Sequence, residues 1–198
     1  MDNPLCALLF AEDLVESILK KSGIEWEVQK EGVRYLREHI KKERLTYEIV
    51  EGVYALMVLE WRTICYCYTQ LISKGVDNTF DYNYETVITT IHYFNTGYDS
   101  VKYLKMCALL CGLTLLYFQE KDKVMSNEIA HASCEMLAYI INLYMFQMQF
   151  NAKEDWFVLS WTAQVIRRKI KNKQPIPTKN DFDTKFTFRD EPKQKGTS

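Results

Sequence analysis

The chain offers three histidines, six cysteines and 26 acidic residues as candidate bases, thiol nucleophiles and metal ligands. His39, His92 and His131 form no HExxH, HxH or His-Asp arrangement that would bring two metal ligands, or a base and its orienting carboxylate, together. Cys65-Tyr-Cys67 is one residue short of the CxxC spacing of a redox or zinc knuckle, and on a helix its two thiols diverge by roughly 200°. Cys107 and Cys111 share a helix face at i and i+4, but on the most hydrophobic segment of the chain, where desolvation raises a thiol's pKa and suppresses its reactivity. Asp13/Glu16 and Glu48/Glu51 could pair carboxylates, yet they lack the Glu-x-x-His partners of a di-iron bundle. No GxxxxGK[ST], GxGxxG or GxSxG is present, so the usual phosphate cradle, dinucleotide turn and nucleophile elbow are missing. The residues name no catalytic group, no metal ligands and no cofactor, and a protein that is not an enzyme is expected.

The elements that would position any site are helical. Between Pro4 and Pro175 there is no proline, so little interrupts helix formation. The segment from Tyr103 to Phe118 is apolar almost all round and must be covered on every side. The fold class expected is all-α: one globular bundle of about seven helices around a buried central hairpin of apolar helices. The bundle is expected over residues 1–171, with 172–198 as a flexible polar tail.

Capping signals place the elements. Asn3 and Pro4 open a first helix that runs to about Lys21 and stops at Gly23. Ser22 and Glu25 have capping-box spacing for a second helix carrying Trp26, Val33, Leu36 and Ile40, turned by Lys41–Arg44. Tyr47 to Ser73 is helical with a possible break near Gly52, and Gly75 ends it. A loop over Gly75–Asn83 precedes a short helix from Tyr84 to Phe94, whose β-branched run Val87–Ile91 leaves a strand open as the alternative. Asp99 or Ser100 caps the central helix through about Gln119, Glu120–Lys123 turns the chain, and an apolar helix runs from Ser126 to about Gln147. A last helix begins at Asn151 and carries Trp156, Phe157, Trp161 and Ile166.

Lys plus Arg is 25 against 26 Asp plus Glu, which gives no global pull toward nucleic acid or anionic lipid. The basic cluster Arg167–Lys173 suits a solvated helix C-terminus. Cysteines sit among apolar residues on expected helices, as reduced core thiols do, and the N-terminus lacks the basic n-region of a secretory signal. Met106 to Phe118 spans 13 residues, below the roughly 18 to 20 needed to cross a bilayer. A cytoplasmic protein without a transmembrane anchor is expected.

From about Phe80 to Ile166 the order of features resembles the helical apoptosis-regulator family named for B-cell lymphoma, the Bcl family. Phe94-Asn-Thr-Gly97 and Tyr103-Leu104-Lys105 stand where that family has an acidic-Gly pair and Asn-Trp-Gly-Arg, followed by the apolar run Met106–Gly112. Glu154-Asp155-Trp156-Phe157 keeps the Trp of the family's late Gly-Gly-Trp, and Leu56 through Leu59-Glu60 takes the place of its death motif. The resemblance implies a surface groove that accepts four apolar side chains of an amphipathic partner helix. Its wall would come from Tyr66, Tyr68, Leu71, Tyr93, Phe94, Tyr98 and Met106, with Lys102 or Lys105 meeting the partner's acid. Lysine carries that charge without the bidentate fork of the family's arginine. Soluble viral members are the nearest comparison, and they also suggest a second possibility, an adaptor with a closed groove that forms a homodimer. A cyclin-like scaffold or an α-helical enzyme remain further alternatives, and core packing remains the other reading of each aromatic.

Overall fold

Side-chain caps and left-handed stops divide the chain into helices. The computed structural model describes residues 4–27, 45–95, 99–143 and 152–178. Among these residues the regular elements are seven helices and no strand: α1 (Pro4–Lys21), α2 (Tyr47–Leu59), α3 (Trp61–Ser73), α4 (Thr79–Tyr93), α5 (Ser100–Glu120), α6 (Lys123–Ile141) and α7 (Ala152–Lys171). Thr46 caps α2, Asn78 caps α4, Asp99 caps α5 and Asp122 caps α6, each side-chain oxygen accepting from an otherwise orphaned backbone N–H. Gly23 (φ +83°) and Gly75 (φ +74°) end α1 and α3 in the left-handed region. At each, the next residue's N–H reaches back five positions, Ile24 to Leu19 and Val76 to Leu71, closing the helix carbonyls.

The all-α expectation holds, and the β-branched run Val87–Ile91 is helical. Thr86 and Thr89 return their hydroxyls to the carbonyls of Tyr82 and Glu85 at 2.9 and 2.8 Å, which satisfies them within the helix. Several expected boundaries move. The break in Tyr47–Ser73 falls at Glu60, not Gly52. Gly52 instead lies where α2 crosses α7, close against Ala163. Capped by Asn78, α4 starts at Thr79, five residues before the expected Tyr84, and α6, capped by Asp122, starts at Lys123, three before Ser126. Ser22 does not cap a following helix: its hydroxyl donates to the Ile18 carbonyl, and Ile24–Glu27 are not helical. The rest of the expected second helix, the cap Asn151 and the tail from 179 lie outside the described residues. The packed body continues past 171, since Pro177 is buried and Ile176 packs against the core.

Helix α5 is the centre, packed against α1, α2, α3, α6 and α7. At 21 residues it is long and apolar enough to span a bilayer by length and composition, more than the 13-residue apolar run suggested, yet 78% of its most apolar stretch is buried within the fold. A two-residue connection turns the chain into α6, which packs back along α5 as the hairpin's second arm. A buried polar seam registers the arms: Tyr82 OH lies 2.8 Å from Ser133 Oγ, and Thr114 Oγ1 lies 3.0 Å from Ser133 Oγ and 2.8 Å from the Leu110 carbonyl. Ser126 donates to the Tyr117 carbonyl near the turn. The broadest packing joins α2 to α7, and Glu51 ties α1, α2 and α7 by accepting from Lys21 at 2.6 Å and Arg167 at 3.4 Å.

Candidate functional site

Helices α3 and α4 are joined by the short Lys74–Asn78 link and leave a trough between them, floored by α5. Met106, Leu109, Leu110 and Leu113 recur at three and four residue steps, so one face of α5 supplies an apolar floor. The trough has two hollows. One, of about 160 Å³, is walled by Tyr66, Gln70 and Leu71 on α3 and by Glu85, Thr86 and Thr89 on α4. The other, of about 250 Å³, is bounded by Glu60, Thr63, Ile64, Tyr93 and Lys105. Cys67, Thr89, Met106 and Leu109 line both, so the hollows lie side by side over α5. An ion pair marks one end, with Lys74 Nζ 2.6 Å from Glu85 Oε2. Lys105 and Glu60 mark the other.

Five of the nine residues expected at a groove line this trough: Tyr66, Leu71, Tyr93, Lys105 and Met106. Tyr68 does not. Two positions from Tyr66 it points round the helix by roughly 200°, and its ring meets Tyr117 edge-on at 5.1 Å. Phe94 is buried at 2% exposure and packs edge-on against Tyr93 at 5.4 Å, which makes it a core residue. Lys102 lies beside Tyr93, its Nζ donating to the Tyr93 carbonyl at 3.3 Å and standing 5.9 Å from the ring centre. Of the two lysines offered for a partner's acid, Lys105 is the one in the trough. Tyr98 lies outside the described residues. Leu109, Leu113, Gln70, Thr89 and the Lys74–Glu85 pair went unrecognised in the sequence, although the spacing of Met106, Leu109 and Leu113 was there to read.

The trough is chemically quiet. Burial, with the charges of Asp99 and Glu60, pushes the Tyr93 phenol up to about 12, and burial also raises the Cys67 thiol. Neither is ionised near neutral pH, so neither is an activated nucleophile. Elsewhere Cys107 and Cys111 are fully enclosed in α5, and burial lifts Cys107 well above its ordinary value and Cys111 to about 12. His131 packs on Trp26 with ring centres 5.3 Å apart, His92 is exposed at the end of α4, and His39 lies outside the described residues. Glu51 is engaged by two cations, which removes the Glu48/Glu51 pair as an acid–base couple. Among the described residues no cluster of three His, Cys, Asp or Glu side chains is arranged to hold a metal ion.

No protein-family model, curated protein or solved structure matches this chain.

Proposed function

We propose that this chain is a non-enzymatic regulator of cell death in the cytoplasm, which holds an amphipathic death-motif helix in the α3–α4 trough as the Bcl-like regulators it resembles do. The observation that carries the reading is the alignment of the trough: two neighbouring hollows, an apolar floor of Met106, Leu109, Leu110 and Leu113, and a cation, Lys105, at one rim. A helix laid along it would present apolar residues at three and four residue spacing to that floor and an acid to Lys105.

The test is titration of fluorescent amphipathic death-motif peptides against the full chain and against Lys105→Glu. Submicromolar binding to some peptides is expected, weakened by about tenfold or more on charge reversal, with most of the loss in dissociation rate. Absence of binding to any peptide overturns the reading.

One observation favours a second reading. The Lys74–Glu85 pair ties α3 to α4 where the hollow is only about 160 Å³, below the roughly 300 Å³ at which ligand pockets begin. A trough latched shut there would suit an adaptor that inhibits host or innate signalling proteins through an outer face. Lys74→Ala separates the two: it strengthens peptide binding if the pair is a latch over a working groove, and leaves binding absent if the groove is closed.

A further inference from the structure

The face of α4 turned away from the trough carries a second unfilled surface. Phe80 is 79% exposed, Tyr84 60%, Val87 38% and Ile91 62%, four large apolar side chains on a fifteen-residue helix. Their spacing is four, three and four residues, the repeat by which helices pack on one another. At 100° per residue all four fall within a sector of roughly 60°. The acidic residues of the helix, Asp81 and Glu85, and the His92 ring lie in a separate sector. Beside the stripe a hollow of about 460 Å³ opens between α4 and α6, where Val87 and Ile91 face Met136 and the exposed Tyr139. Among the described residues nothing covers this face, although the trough uses the opposite side of the same helix.

We infer that the Phe80–Tyr84–Val87–Ile91 stripe of α4 is the interface at which a second copy of this chain docks, α4 against α4 about a two-fold axis. The argument is self-complementarity. An axis crossing α4 midway between Tyr84 and Val87 sets Phe80 opposite Ile91 of the second copy and Tyr84 opposite its Val87, so every layer pairs an aromatic ring with a branched aliphatic side chain. A two-fold interface demands such a match of one patch with itself. The size agrees. Phe80, Tyr84, Val87, Ile91 and Tyr139 at roughly 100 Å² of exposed apolar area each give about 500 Å² per copy. A standard interface buries about 800 Å² per partner, of which roughly 60% is apolar. A single chain therefore carries close to one interface's worth of apolar surface, concentrated on one helix and its neighbour.

The experiment is sedimentation velocity of the full chain from about 1 to about 100 µM. A concentration-dependent dimer is expected for the wild type. Ile91→Glu and Phe80→Lys each raise the dimer Kd by about 100-fold, with an unchanged circular-dichroism spectrum because both sites are solvent-exposed. The register makes a sharper demand. The double variant F80K/I91E sets each introduced lysine opposite the introduced glutamate of the other copy, in both outer layers, and recovers dimerisation. The control F80K/V87E, whose changed positions are not opposite, does not. A wild type that stays monomeric throughout, single variants that dimerise as tightly as the wild type, or an F80K/I91E variant that fails to recover each overturns the inference. Lys105→Glu, in the trough, leaves the dimer intact, and Ile91→Glu leaves peptide binding intact, so failure of one proposal does not pass to the other.

Discussion

Gly52 sits at the closest approach of α2 and α7, and replacing it by alanine reverses an ordinary rule. In an open helix interior, Gly→Ala stabilises by about 1 kcal/mol through backbone entropy. Here the new Cβ would stand 2.8 Å from Ala163 Cβ, 2.9 Å from the Ala163 carbonyl oxygen and 3.0 Å from its Cα. Carbon atoms prefer roughly 3.5–4.0 Å, so α2 must withdraw from α7 by roughly 0.7 Å along the broadest packing in the fold. Two of the three contacts are backbone atoms that no rotamer change can move, which puts the overpacking cost near the upper end of the usual range, about 3 kcal/mol. After the helix gain, Gly52→Ala should lose about 2 kcal/mol, and at roughly 2–4 °C per kcal/mol for a chain of this size the midpoint falls by roughly 4–8 °C. The partner variant sharpens the test. Adding Ala163→Gly to Gly52→Ala removes the Cβ contact alone and restores only part of the loss. Gly112 is the contrasting site, because its added Cβ meets the side-chain atoms Ile64 Cδ1 and Cγ2 at 2.9 Å and Met57 Cγ at 3.4 Å. Cδ1 can turn about χ2, but Cγ2 moves only with the stiff χ1 of a β-branched helical residue that is fully buried, so Gly112→Ala should also lose stability, by about 1 kcal/mol and less than Gly52→Ala. Ile64 lines the trough, and the same change should alter peptide affinity more than it alters melting. Thermal and urea unfolding followed by circular dichroism decide the matter: a Gly52→Ala protein that melts at or above the wild-type temperature refutes the close-approach argument.

Burial raises Tyr117 to about 12 and Tyr82 further still, so between pH 10 and 12 the unfolded chain has released phenolic protons that the folded chain retains. Stability contributed by these groups is fully present below pH 10 and falls above it, at roughly 1.4 kcal/mol per pH unit for each fully buried ring, which urea melts at stepped alkaline pH would show. Ser133→Ala should destabilise by about 2 kcal/mol because it orphans the enclosed Tyr82 hydroxyl, whereas Tyr82→Phe should cost nearer 1 kcal/mol because Ser133 still accepts from Thr114; chemical unfolding of the two variants gives the order. All six cysteines are free, but only Cys65 and Cys67 are half-exposed, so native labelling with a thiol reagent should modify these two first and a bound trough ligand should protect Cys67 selectively, as mass spectrometry of the labelled peptides would report.

Local signals in the sequence carried much of the architecture. The Pro4 start and Gly23 stop of α1, the stop at Gly75, the Asp99 cap and the enclosure of α5 were all readable, because caps and left-handed stops act within a turn and an all-round apolar helix has nowhere to go but inside. Gly52 was misread for the same reason. A glycine inside a helical pattern looks like a break when viewed locally, and only its neighbour Ala163, 111 positions away in the chain, shows that it answers a packing constraint. The family resemblance likewise marked Tyr66, Tyr68, Tyr93 and Phe94 as one groove wall, yet helix phase and burial sent Tyr68 to Tyr117 and Phe94 into the core, leaving Tyr66 and Tyr93 at the trough.

The chain's own pattern of caps, glycines and apolar periodicity thus determined that it would be helical, where α1 and α5 would begin and end, and which helix would be central. Tertiary packing decided the rest. Two helices can bury the same stripe at many separations, and a trough exists only where α3 and α4 sit too far apart to fill the space above α5. Whether an apolar stripe such as Phe80–Ile91 is core or surface depends in the same way on what lies opposite it, and periodicity along one helix contains no information about that neighbour.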